Sequence, residues 1–239
     1  MKQNIVIIQR YLELKRIIRE KKYKGMIQIM SKNNKDNKKF WQRYAPIYSL
    51  FMKNADAEYN EISDKIKPYL NKDMNVLELA CGTGMFTYIL ADKVNTWKAT
   101  DFSENMVKEA RAAGKKHKVI PGLSFSVEDA TNLPYEDSIF DAVMIANALH
   151  IMPNPEKALG EIKRVLKDDG IMFAPTFIHG EGVGFKLKTK LIELFGFKAF
   201  IKPTNDEFKK FIENNGFKVM EYDRVGSKLA PICCMIAKK

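Results

Sequence analysis

The chain of 239 residues holds only three cysteines, three histidines and two tryptophans. Cys81, Cys233 and Cys234 are too few for a disulfide framework, and two of them are chain neighbours, badly placed to bridge. A reducing cytoplasm is the expected setting. No apolar run comes near the ~18 residues of a membrane span. The run at residues 5–8 is too short for the core of a signal peptide. Histidine and cysteine are also too sparse to suggest a metal-ligand cluster, so no metal is expected. A soluble globular protein remains, and a hydrophobic fraction of 46% suits one α/β domain with a sizeable core.

Acidic residues are scarce in one region only. Residues 1–53 carry 14 Lys and Arg against three acids, whereas residues 54–239 balance at 26 of each. A basic protein invites a nucleic-acid reading, but here the part that would carry chemistry is neutral, which disfavours it. Ile8, Tyr11, Leu12, Lys15 and Ile18 recur at near-helical spacing among Arg10, Arg16 and Arg19. Residues 1–29 therefore read as a basic amphipathic helix, suited to an anionic membrane surface or a partner, or else packed on its own body or a second subunit. With the polar linker at 31–39, this makes 1–39 an extension and 40–239 the main domain.

The chain does have a strand pattern that runs into a glycine turn and a helix, V-L-E-L-A-C-G-T-G at 76–84 followed by 85–91. Bare backbone and a helix N-terminus together offer unpaired N–H groups to a ligand. A dinucleotide fingerprint starting at Gly82 needs glycine at position 87, which is Thr87, so that signature fails. Asp101 closes the next strand pattern, 19 residues after Gly82 and near the offset at which a doubly wound fold sets a carboxylate over a ribose. Asp101 and Ser103 also suit a helix cap before 104–113. Further strands read at 123–127, 142–146, 171–178, 217–224 and 229–237, with helices at 57–69, 155–166 and 204–214, the last opened by a Thr204/Glu207 capping box.

The run E-x-A-C-G-T-G resembles motif I of the class I S-adenosylmethionine-dependent methyltransferases, and L-P-x-x-D-x-x-F-D at 133–141 is similar to usage in that family. The resemblance covers about residues 40–239. It implies a doubly wound, mainly parallel seven-stranded sheet in the order 3-2-1-4-5-7-6 with helices on both faces, and S-adenosylmethionine as cofactor. It places Glu78 beneath the methionine part, and Ala80, Cys81, Gly82 and Gly84 in the turn the cofactor crosses. Asp101 then takes the ribose, with Phe102 and Met106 over the adenine. Asp129 accepts from the adenine 6-amino group, the Ala130 N–H donates to a ring nitrogen, and Ala146 ends the fourth strand beside the cofactor. R-Y-A-P-I-Y at 43–48 is similar to the family's active-site cap, which makes 40–70 a lid, with Tyr44 toward the cofactor and Tyr48 toward substrate; Asn147 is the other substrate candidate.

Methyl transfer can run on positioning alone, so a catalytic residue is optional; His150 and His179, after strands four and five, are the candidates for a base. The segment 179–197 is the candidate substrate side. The base-amino N/D-P-P-Y/F signature is missing after strand four, since N-L-P-Y at 132–135 precedes that strand. The leading expectation is methylation of a small molecule, with room for a lipid-like acceptor. The alternatives are an RNA or protein methyltransferase and a cofactor-binding regulatory protein without catalysis. An NAD-dependent reductase is more distant because of Thr87.

Overall fold

Strands β1 (Asn75–Leu79) and β4 (Phe140–Ile145) run parallel through the middle of one eight-stranded sheet. The computed structural model describes Gln42, Ala45 and residues 56–178, 203–226 and 231–239. The expectations for the 1–39 extension, for Tyr44, Tyr48 and His179, and for the segment 179–197 lie outside the described residues. On one side of β1 follow β2 (Thr96–Asp101) and β3 (Leu123–Val127), both parallel; beside β4 lies β5 (Leu166–Phe173), also parallel. The last strand, β8 (Ile232–Lys238), is antiparallel and pairs with β5, with the short β6 (Thr176–Phe177) and with β7 (Lys218–Val225).

The eighth strand is a division of the expected fifth. Pro175 has no N–H to give the ladder, and strand five breaks there into β5 and β6, both paired with β8. Counted as one strand, β5 and β6 restore the order 3-2-1-4-5-7-6. Strand five also starts earlier than expected. Phe140 pairs with Leu166 and Ala142 with Ile171, so the residues between Leu166 and Ile171 bulge out of the ladder instead of forming a turn before it.

Five helices of the described residues complete the layers: α1 (Asp56–Ile66), α2 (Met85–Leu90), α3 (Glu104–Ala113), α4 (Pro155–Val165) and α5 (Asn205–Asn214). Their ends follow local chemistry. The Ser103 side chain caps α3, proline opens α4, and α5 has the reciprocal Thr204/Glu207 capping box. Alternation along the buried strands feeds a core on each face of the sheet. Leu77, Val143 and Ile145 join Leu159 and Ile162 of α4 and Ile212 of α5 on one face. Val76, Ala142 and Met144 join Ile62 of α1 and Leu90 of α2 on the other. Truncating a fully buried residue such as Ile162 to alanine costs about 2–5 kcal/mol at such a site.

The chain winds from β1 outward to β2 and β3, then returns to place β4 on the opposite side of β1. In an open sheet such a reversal leaves a crevice at the carboxyl ends of the two central strands.

Candidate active site

The turn leaving β1 bends through three left-handed residues, Ala80 (φ 54°), Gly82 (φ 56°) and Gly84 (φ 83°). The Cys81 N–H donates to the Thr100 carbonyl at 2.8 Å and the Gly84 N–H to the Cys81 carbonyl at 2.9 Å, which ties the turn to the end of β2. Gly84 is the N-cap of α2, where a Cβ would stand 3.0 Å from the Tyr88 ring. Glycine is thus favoured there by its left-handed conformation, and a Cβ would crowd the Tyr88 ring.

Two acids are locked around this turn. Glu78 is buried on β1, and its Oε2 accepts from the Thr87 hydroxyl of α2 and, at 2.7 Å, from the Trp97 indole N–H of β2. Burial lifts its carboxyl to about 7; the two donors pull it back and the Asp101 charge adds to the rise. Asp101 Oδ2 accepts from the Gly82 N–H at 2.9 Å and Oδ1 from the Ser103 N–H at 2.8 Å. Burial raises this carboxyl to about 6 against those two bonds. Of the roles expected for Asp101, the bond from the Ser103 N–H braces the start of α3, and the same carboxylate also fastens the glycine turn. Each of its oxygens keeps a lone pair for a ligand.

One cleft collects Glu78, Ala80, Cys81, Gly82, Asp101, Phe102, Met106, Asp129, Ala130, Ala146 and Asn147 on its wall. Gly84 stands one step behind it as the helix cap. Asp129 Oδ1 accepts from both the N–H and the hydroxyl of Thr131 at 2.8 Å, which fixes the loop after β3. After β4, Asn147 holds φ at 52° and donates its backbone N–H to the Pro175 carbonyl at 2.7 Å. Both polar atoms of its side-chain amide are buried without a partner. His150 lies behind this wall. It is buried, edge-on to Phe177 at 6.1 Å, with Nδ1 unpartnered and its imidazole lowered to about 4 by burial.

Several participants were not singled out by the sequence pattern. Thr87, noted only because it breaks a dinucleotide signature, and Trp97 are the donors that hold Glu78. The signal was available, because a carboxylate inside an apolar strand needs donors. Glu128 also lines the cleft, and its spacing of two from Ser126 puts both on one face of the strand end. Tyr59 of α1 joins the wall and packs on Phe86 at 4.5 Å, and the Asn105 amide of α3 donates to the Gln42 carbonyl at 2.8 Å.

The family model described as "Methyltransferase domain" matches residues 70–216. The chain belongs to the class I S-adenosylmethionine-dependent methyltransferases. The demethylmenaquinone methyltransferase of Staphylococcus aureus (strain JH9) is 31% identical to this methyltransferase over 221 residues, covering 76% of this chain and 88% of the relative. That of Paenarthrobacter aurescens is 40% identical over 104 residues, 44% of this chain and 39% of the relative. The chain spans 36% and 39% of the first two curated relatives it matches, well under their full length. Magnesium protoporphyrin IX methyltransferase of Synechocystis, solved with bound SAH, has the same fold, with a TM-score of 0.61, 17% identity and coverage of 77% of this chain and 83% of that one.

The family's cofactor, S-adenosylmethionine, fits this methyltransferase. Its cleft offers the bare backbone of a glycine turn, acids with free lone pairs, and buried polar atoms that lack partners. Among the described residues no group of His, Cys, Asp and Glu is arranged to hold a metal, and no helix is long and apolar enough to cross a membrane.

Proposed function

We propose that the chain transfers a methyl group from S-adenosylmethionine to a small acceptor of quinone-like or lipid-like character. The observation that carries this is one cleft wall that joins a locked acid, Asp101, to an unpaired buried amide, Asn147. The acceptor class is supported by the relatives named demethylmenaquinone methyltransferase.

S-adenosylmethionine supplies a methyl already activated on a sulfonium, so the protein's part is positioning and exclusion of water. Asp101 accepts from the ribose hydroxyls with the lone pairs that Gly82 and Ser103 leave free. Phe102 and Met106 cover the adenine, Asp129 accepts from its 6-amino group, and the Ala130 N–H donates to a ring nitrogen. Ala80, Cys81, Gly82 and Gly84 shape the turn under the methionine part, with Glu78 below and Ala146 beside it. Asn147 gives its amide to an oxygen of the acceptor, where a donor and an acceptor side by side match a hydroxyl or a carbonyl. Residues 40–70 act as the lid, anchored by Gln42 on α3 and by Tyr59 in the wall, with Tyr44 toward cofactor and Tyr48 toward acceptor. His179 and His150 are the base candidates, and the His150 side chain is buried and is not among the residues lining the cleft.

The test is calorimetric titration with S-adenosylmethionine and NAD in parallel, followed by an acceptor screen of reduced naphthoquinones, phospholipids and RNA. Binding of the first cofactor alone and turnover on the quinol or lipid arm are expected. Preference for NAD, or turnover on RNA only, would contradict the proposal, and cofactor binding without turnover on any arm would favour a regulatory protein.

A further inference from the structure

The end of β3 carries an acid to which no role has been given. The Glu128 N–H donates to the Asp101 carbonyl at 3.1 Å, which seats the residue beside the end of β2. Its Oε1 accepts twice, from the Ser126 hydroxyl at 2.5 Å and from the Tyr135 hydroxyl at 2.6 Å. Its Oε2 is buried, no donor reaches it, and the residue lines the cleft.

The geometry is held from outside the site. Arg164 of α4 donates to the Leu133 carbonyl at 3.1 Å, to the Tyr135 carbonyl at 2.6 Å and to Asp137 at 2.8 Å. Glu161 accepts from the Leu133 N–H at 2.8 Å and from Arg164 at 2.8 Å. The Tyr135 ring packs edge-on against Phe140 at 5.0 Å. The loop carrying Tyr135 is thereby fixed to α4 and β4, and two hydroxyls on one oxygen fix the direction of the other. A buried carboxylate oxygen left unpaired is costly, and native structures keep few of them. Its residue lines the cleft that the nucleoside is proposed to fill.

We propose that Glu128 Oε2 accepts a hydrogen bond from the nucleoside of the bound cofactor, from the exocyclic amine of its base or from a ribose hydroxyl, with Ser126 and Tyr135 as positioning residues. The inference rests on the cofactor reading above. It makes Glu128 a determinant of which nucleoside binds, in addition to Asp101 and Asp129.

The test compares affinities of wild-type protein and Glu128→Gln for S-adenosylhomocysteine, its inosine counterpart and its 2′-deoxy and 3′-deoxy counterparts. Glutamine keeps an acceptor for Ser126 and Tyr135 and turns an amide N–H toward the ligand. In the variant, S-adenosylhomocysteine should bind about tenfold to a hundredfold more weakly. A deoxy analogue lacking the paired hydroxyl should bind both proteins within about twofold, since it has no bond there to lose, and the inosine analogue, if the base amine is the donor, should bind the variant at least as tightly as wild type, because its carbonyl accepts from the new amide. A ratio that collapses for the inosine analogue identifies the base amine, and one that collapses for a deoxy analogue identifies the hydroxyl. Tyr135→Phe should shrink the same ratio by a smaller factor. Ratios unchanged from wild type in Glu128→Gln would overturn the proposal, and because ratios are compared, a general loss of folded protein cannot imitate success. Failure of the wild type to bind S-adenosylhomocysteine at all would overturn the cofactor reading, and this inference with it.

Discussion

The two sides of the cleft are built differently. At the ends of β1 and β2 the acids are already satisfied: Glu78 by Thr87 and Trp97, Asp101 by Gly82 and Ser103. After β4, the Asn147 amide on the cleft wall has no partner. A side whose polar groups are paired before ligand arrives is preorganised and loses little on binding. A side with unpaired buried atoms is complete only when something else supplies the bonds. On the cofactor reading proposed above, the first side suits the constant ligand, with Glu128 Oε2 left open to it, and the second side suits the acceptor.

The largest expected effect is on pH dependence, because burial acts with opposite sign on the two acids of the first side and on His150 behind the second. Glu78 is raised from 4.5 to about 7, so between those values the folded protein holds a proton that the unfolded chain has released. Its contribution to stability therefore falls as pH rises through that window. Asp101, raised from 3.8 to about 6, acts in the same direction. His150 is lowered from 6.5 to about 4, so there the unfolded chain holds the extra proton and stability rises with pH. Each slope is about 1.4 kcal/mol per pH unit for one full proton. Urea unfolding between pH 4.5 and 6.5 should show Glu78→Gln tilting the profile upward relative to wild type and His150→Phe tilting it downward. Tilts of the same sign would break the contrast.

A smaller effect separates the ligands directly. Asp101→Ala should weaken S-adenosylmethionine by about 1–3 kcal/mol through lost charge-assisted bonds, measured by calorimetry. Unaltered affinity would remove Asp101 from the cofactor side. Smallest is Asn147→Gly, which deletes the amide while keeping a residue that accepts the left-handed backbone. Steady-state kinetics should show the acceptor kcat/KM falling about tenfold with cofactor affinity held within about twofold. An equal loss for cofactor would place Asn147 on the other side.

Much of the turn after β1 was legible in the sequence because backbone geometry favours particular residue types there. Gly82 and Gly84 sit where φ is positive, and Asp101 falls at the offset that the strand, helix and strand lengths impose. The locks on Glu78 were less legible, since Thr87 comes from α2 and Trp97 from β2, and only the folded sheet brings them together. Strand five shows the same limit. Its apolar pattern was readable, but its break at Pro175 and the bulge before Ile171 depend on pairing with β4 and β8. The unpaired amide of Asn147 was not legible, because whether a side-chain amide finds a partner depends on neighbours that only the folded sheet brings together.

The most direct measurement is a crystal structure of the protein with S-adenosylhomocysteine. The account predicts ribose hydroxyls within hydrogen-bonding distance of Asp101, the adenine between Phe102 and Asp129, and the sulfur turned toward Asn147. A nucleoside seated on the Asn147 side, or outside the cleft between β1 and β4, would contradict it.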